Sequence, residues 1–222
     1  MEPPAWIDAL ERRLGGWSVP HMLRGLVILN ALTFLLDLSS RGFAEQLLLT
    51  QAGLAQDQYW RLVTFLFARE ASTGVFSLVF FFFWMCFTWM IGDVLEREWG
   101  SFKLTIYILL PVVLLGAVVV AGLAPAVPNH YIYYSLFFAF ASLHPDYEIM
   151  LFPLPVPLKV KWIACIGLGF TLLALAFNPR GASVLVASYS SYLLFFTVGW
   201  MEWYRMRREV RAKRARFRGD DE

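Results

Sequence analysis

Residues 91–104 read IGDVLEREWGSFKL, and five charged side chains (Asp93, Glu96, Arg97, Glu98, Lys103) crowd into it between two apolar runs. Upstream, residues 73–92 read TGVFSLVFFFFWMCFTWMIG, and downstream, residues 102–123 read FKLTIYILLPVVLLGAVVVAGL. Each run approaches the roughly 20 apolar residues that carry a helix across the hydrocarbon core. The stretch is therefore the aqueous turn of a helical hairpin that crosses a membrane twice. Gly92 and Gly100 bracket the turn, where small residues let membrane helices approach closely. Between them Glu96 is a carboxylate able to accept hydrogen bonds and lock the reversal.

Counting outward by the same criterion gives six spans, His21–Leu38, Thr73–Gly92, Phe102–Leu123, Asn129–Leu143, Leu158–Phe177 and Ala182–Trp203. The expected fold is thus all-α, a polytopic six-helix membrane domain over residues 21–204. An amphipathic segment precedes it (1–20), and a basic tail follows (205–222). Composition agrees: across 222 residues 59% are hydrophobic, 16% are charged and the mean hydropathy is +0.57. Soluble domains carry about a quarter charged residues, so water is not the main solvent. The 38 aromatic residues exclude a disordered chain, and 19 basic against 17 acidic residues exclude a broadly basic nucleic-acid binder. Cys86 and Cys165 lie inside apolar runs and read as small core hydrophobes. The short fourth span opens on Asn129, His130 and several tyrosines, which marks it as enclosed by other helices and as the segment that lines a site.

With both termini cytoplasmic, Arg12, Arg13, Arg24, Arg97, Lys103, Lys159, Lys161 and the eight basic residues of the tail lie inside. That leaves Arg41, Arg61, Arg69 and Arg180 outside, so 15 of the 19 basic residues obey the positive-inside rule. No small-residue cleavage site follows the first span, so it reads as a retained helix rather than a signal peptide. A bacterial cytoplasmic membrane suits this arrangement, with the endoplasmic reticulum membrane as the alternative. The tail, Arg205 to Arg218, fits acidic lipid headgroups, a cytosolic partner or a plain stop-transfer anchor.

Two connections stand out. The long first loop contains FAEQLLLTQAGL and QYWRLVTFLFARE, both with apolar residues at helical spacing. Between the fourth and fifth spans, Pro153, Pro155 and Pro157 alternate, which fixes an extended connector and forbids helix.

The Gly92, Glu96, Gly100 spacing resembles the G-x-x-x-E-x-x-x-G signature of rhomboid intramembrane proteases. Trp60-Arg61 in the first loop is similar to the Trp-Arg motif of that superfamily, which derlins share. The resemblance covers residues 21 to 204 and implies a rhomboid-like bundle. Rhomboid proteases carry Gly-x-Ser-Gly at the start of the fourth span, and the matching positions here are Tyr133-Tyr134-Ser135-Leu136. Ser135 is kept, while both glycines are bulky. The family's base is a histidine on the sixth span. That position falls on Ser188, with Ser190 and Ser191 nearby and no imidazole in the span. The family's His and Asn on the second span, which support the oxyanion, fall on Phe80 and Trp84.

Peptide hydrolysis needs an activated nucleophile, a base and oxyanion donors. With base and donors replaced, the resemblance implies a pseudoprotease that, like derlins and inactive rhomboids, binds transmembrane clients and influences their folding, trafficking or degradation. Membrane lipids and client helices are the expected partners, with no nucleic acid, cofactor or metal. The expected client groove is formed by Tyr131, Tyr133, Tyr134, Ser135, Tyr189 and Tyr192, unless these tyrosines plug the former active site. Two other readings stay open: an intramembrane serine protease built around Ser135 with a non-standard catalytic group, and a small channel or transporter. Of the histidines, only His130 lies near Ser135, and a separation of five turns the two side chains apart on a helix. His130 therefore reads as an interfacial residue bonded to a carbonyl. The acids Asp37, Asp93 and Glu202 read as caps or turn locks near span ends.

Overall fold

The computed structural model describes residues 5–68, 74–150 and 157–197. Within these, the order is α1 (Ala5–Leu14), α2 (Met22–Ser39), β1 (Leu49–Thr50), α3 (Gln51–Leu54), α4 (Arg61–Thr64), α5 (Val75–Trp99), α6 (Ser101–Val120), β2 (Ala126–Val127), α7 (His130–Leu143), β3 (Glu148–Met150), β4 (Pro157–Lys159), α8 (Val160–Phe177) and α9 (Ala182–Thr197). Four helical stretches are long and apolar enough to cross a membrane: Gly15–Ser39, Phe76–Trp99, Ser101–Val120 and Val160–Phe177. The chain is a multi-pass, all-α membrane protein.

The fourth expected span is α7, whose 14 residues rise only about 21 Å, short of the roughly 30 Å hydrocarbon core. The sixth is α9, described as far as Thr197. Residues 198–222, which include Glu202 and the basic tail, lie outside the described residues.

The hairpin at Glu96 forms as the sequence dictates. α5 ends where Gly100 takes a φ of +83°, a left-handed conformation that favours glycine, and α6 starts on the next residue. Gly92 lies against α2, and a Cβ there would fall 2.8 Å from Leu23 Cβ, so the two helices meet closely at this point. Val19 N–H donates to Thr105 Oγ1 at 3.1 Å, tying the entry of α2 to α6. The amphipathic α1 docks at the same end, with Ile7 buried and Asp8 Oδ1 2.6 Å from Lys103 Nζ.

Three features differ from the sequence reading. The first loop does not form two amphipathic helices. It folds into short turns and the four-residue helices α3 and α4, because β1 pairs with β2 through Leu49↔Val127 and side chains satisfy the backbone between them. Cys86 and Cys165 are exposed on α5 and α8 rather than in the core, since both helices turn much of their surface outward. The proline connector is extended where described, but as an antiparallel pair of β3 and β4 that starts and ends beside the bundle. Pro157 opens β4, whereas Pro153 and Pro155 lie outside the described residues. Pro111 lies buried inside α6.

Candidate functional site

The turn motif acts through Glu96. Its Oε1 accepts the His21 backbone N–H at 2.9 Å and the Ser101 hydroxyl at 2.6 Å, and its Oε2 lies 3.3 Å from His21 Nδ1. One carboxylate thus holds the start of α2, the end of α5 and the start of α6. Beside it Asp93 takes a bidentate bond from Arg24 at 2.7 and 2.9 Å, and that guanidinium lies 5.3 Å over the Trp89 ring. Asp37 is also a lock, accepting the Ala44 N–H at 2.9 Å at the far end of α2.

The Trp-Arg pair is structural in a different way. Arg61 donates to the Glu45 and Leu48 carbonyls at 3.1 and 2.8 Å and to Gln58 Oε1 at 2.6 Å, so it gathers the first loop around a single cation. Trp60 itself is exposed.

Ser135 is fully buried. Its Oγ lies 2.8 Å from the Tyr107 hydroxyl, which also donates to the Ser135 carbonyl at 2.9 Å. Tyr107 on α6 is itself fully buried, packs edge-on against Phe195 and at a tilt against Trp99, and accepts the Ser191 hydroxyl at its own carbonyl at 2.7 Å. Ser188 is also fully buried, and its hydroxyl meets no partner among the described residues. Phe80 points outward and is more than half exposed, while Trp84 packs edge-on against Tyr133 at 5.0 Å.

Of the six groove candidates, three line an open cleft and three do not. The cleft, about 540 Å³, lies between α5, α7 and α8. Trp84, Phe87 and Thr88 come from α5, and Tyr131, Tyr133 and Tyr134 from α7. From α8 come Ile163, Ile166, Gly167, Phe170, Thr171 and Ala174, spaced at three and four so that they form one helical face. A second recess of about 400 Å³ adjoins it, sharing Trp84, Phe87, Phe137 and Ile163 and reaching Ile149 and Met150 of β3. Among the described residues, no Asp, Glu, Lys or Arg lines either space.

Ser135, Tyr189 and Tyr192 do not line the cleft. Ser135 faces Tyr107 instead, because adjacent residues on a helix point about 100° apart and Tyr134 takes the open side. Tyr192 bonds Ser142 at 2.9 Å and stacks on Phe196, and Tyr189 stacks on Phe138 at 5.5 Å. Tyr133 lines the cleft with its ring while its hydroxyl is buried, donating to the Leu66 carbonyl at 2.7 Å and accepting from Asn30 Nδ2 at 2.8 Å. Asn129 bonds the same Leu66 carbonyl at 3.0 Å, so this cluster pins α7 to α2 and the first loop. The tyrosines are therefore divided: some are packing, others are surface. His130 packs its ring on Tyr131 at 4.2 Å and on Tyr134 at 5.6 Å. Its imidazole also lines the cleft.

The sequence reading missed Tyr107 and the α8 face. Tyr107 carries a signal, being the lone tyrosine in an otherwise aliphatic run. The α8 face carries none, because that span is apolar on every side. Among the described residues there is no group of three metal-ligating side chains. No family model, curated protein or solved structure matches the chain.

Proposed function

We propose that this chain is a rhomboid-like pseudoprotease of six membrane spans that receives transmembrane segments of client proteins in the cleft between α5 and α8 and influences their fate without cutting them. The observation that carries this reading is the separation of the residual serine from the open space. Ser135 is sealed against Tyr107, while the cleft beside it remains open along α8. A hydroxyl with no exposure, and with its lone pairs and proton shared with a phenol, meets no scissile bond and no base. The locks at Glu96 and Arg61 also support the family resemblance, since each holds together several elements that the motifs would need to hold. In this reading the Glu96 end faces the cytoplasm of a bacterial cell, and the partners are lipid and client helices.

The test is photocrosslinking in cells, with a photoreactive residue placed singly along α8. Capture of intact membrane proteins is expected from Ile166 and Phe170, which line the cleft, and not from Leu168 and Leu172, which do not. Uniform capture along α8 would mean lipid-like contact without a cleft site. Cleaved partners that become intact in Ser135→Ala would restore the protease reading.

A further inference from the structure

The cleft is apolar along most of its length, but its polar groups gather at the end of α7 that carries His130. Tyr131 and Tyr134 lie with ring centroids 6.3 Å apart and planes inclined at 71°. Behind Tyr131, the ring of Tyr189 lies 6.5 Å away at 54°. The Tyr189 hydroxyl is 3.5 Å from Thr171 Oγ1, which lies on the cleft face of α8. Rings at this spacing and inclination form a corner, and the faces of aromatic rings are electron-rich and attract cations within about 6 Å of the centroid. Among the described residues no Lys or Arg lines the corner and no Asp or Glu supplies a full countercharge. A cation held there arrives with the ligand.

Building on the client reading above, we infer that this aromatic corner, His130, Tyr131 and Tyr134 backed by Tyr189, receives the ammonium or guanidinium group of a Lys or Arg carried within the client's transmembrane helix. The remaining cleft is too apolar for a free ion, so the charge comes attached to a hydrophobic body. From Ile163 to Ala174 the cleft face of α8 extends about 16 Å, which is three turns of an opposing helix. The cleft is partly open rather than an enclosed cavity, as a helix requires. A basic residue in a lone helix is costly in hydrocarbon and takes up any partner able to share its charge. The corner would therefore sort clients, favouring helices with an unpaired basic residue over purely apolar ones.

The test uses the full-length chain in phosphatidylglycerol vesicles, whose headgroup carries no ammonium, with a photoreactive residue at Ile166. Two synthetic Leu/Ala helices of about 20 residues serve as probes, one with a single Lys near the end that meets the corner and one with norleucine there. Both are expected to be captured, the Lys helix about tenfold more tightly. The preference should persist in Tyr131→Phe/Tyr134→Phe, which keeps the ring faces. It should vanish in Tyr131→Leu/Tyr134→Leu, with the norleucine helix still captured as proof of a folded cleft. Tyr134→Leu alone, at a half-exposed position, should reduce the preference about threefold. Equal capture of the two helices overturns the inference and leaves the client cleft standing. A preference that survives both leucine variants overturns it too, placing the cation elsewhere. Loss of the preference in phosphatidylcholine vesicles would assign the corner to a lipid headgroup. Capture of neither helix would sink the client reading itself.

Discussion

α6 and α8 are almost matched as apolar membrane helices, yet half of α6 is buried inside the protein and, on α8, only Val160 is. What separates them is the kind of residue within the apolar run. α6 carries Thr105, Tyr107 and Gly116 toward its neighbours, and each makes a contact that lipid cannot replace: a bond to Val19, a bond to Ser135, a close approach to Leu62. α8 offers almost only aliphatic and aromatic side chains, which are as well solvated by acyl chains as by protein. In a bilayer, apolar surface does not draw helices together, so polar and small residues decide which helices are held. The tightly held side fixes the fold, and the loosely held side leaves the cleft.

The largest effect that would test this contrast is on stability. Tyr107→Ala removes a fully buried ring and its bonds to Ser135, and should cost about 3–5 kcal/mol, whereas Ile166→Ala on α8 should cost under about 0.5 kcal/mol. Thermal unfolding of the two variants in one lipid or detergent checks this, and equal losses would break the comparison. A glycine pair sharpens it at smaller scale. Gly92→Ala pushes a Cβ to 2.8 Å from Leu23 Cβ and should cost about 1–3 kcal/mol, while Gly169→Ala meets nothing within 4 Å and should leave stability unchanged or slightly raised.

The smallest expected effect concerns the β3–β4 pair that leads into α8. Hydrogen bonds from Lys161 and then Lys159 hold the Asp146 carboxyl below its ordinary range. A lowered folded value means that this contribution is present above the ordinary carboxylate pKa near 3.9 and is lost as pH falls through the lower folded value. Protease susceptibility of the connector should therefore rise only in that acid window. Asp146→Asn should show the raised susceptibility at neutral pH, with no further change on acidification.

Much of the site was legible where one residue had to satisfy several backbones. Glu96 between two glycines predicted a locked turn, and the turn is locked, with Gly100 at positive φ and Glu96 joining three helices. Arg61 in a loop of otherwise apolar helical spacing was marked as a motif. Its role as a collector of carbonyls depends on β1 meeting β2, two segments far apart in sequence. The groove was half legible. Tyr131 and Tyr134 line it, but Ser135 turned the other way, and that depended on a tyrosine 28 residues upstream on another helix.

By itself the sequence determined a membrane protein of apolar helices, the position of its sharpest turn and the lack of a histidine from residue 182 to 203. These follow from length, hydropathy and local chemistry, which each segment carries alone. Tertiary structure decided which face of α7 is sealed and which is open, that the cysteines face outward, and that α8 stands apart to leave a cleft. Those outcomes depend on pairs of distant residues, Tyr107 with Ser135 and Asn30 with Tyr133, whose bonds form only once the helices are side by side.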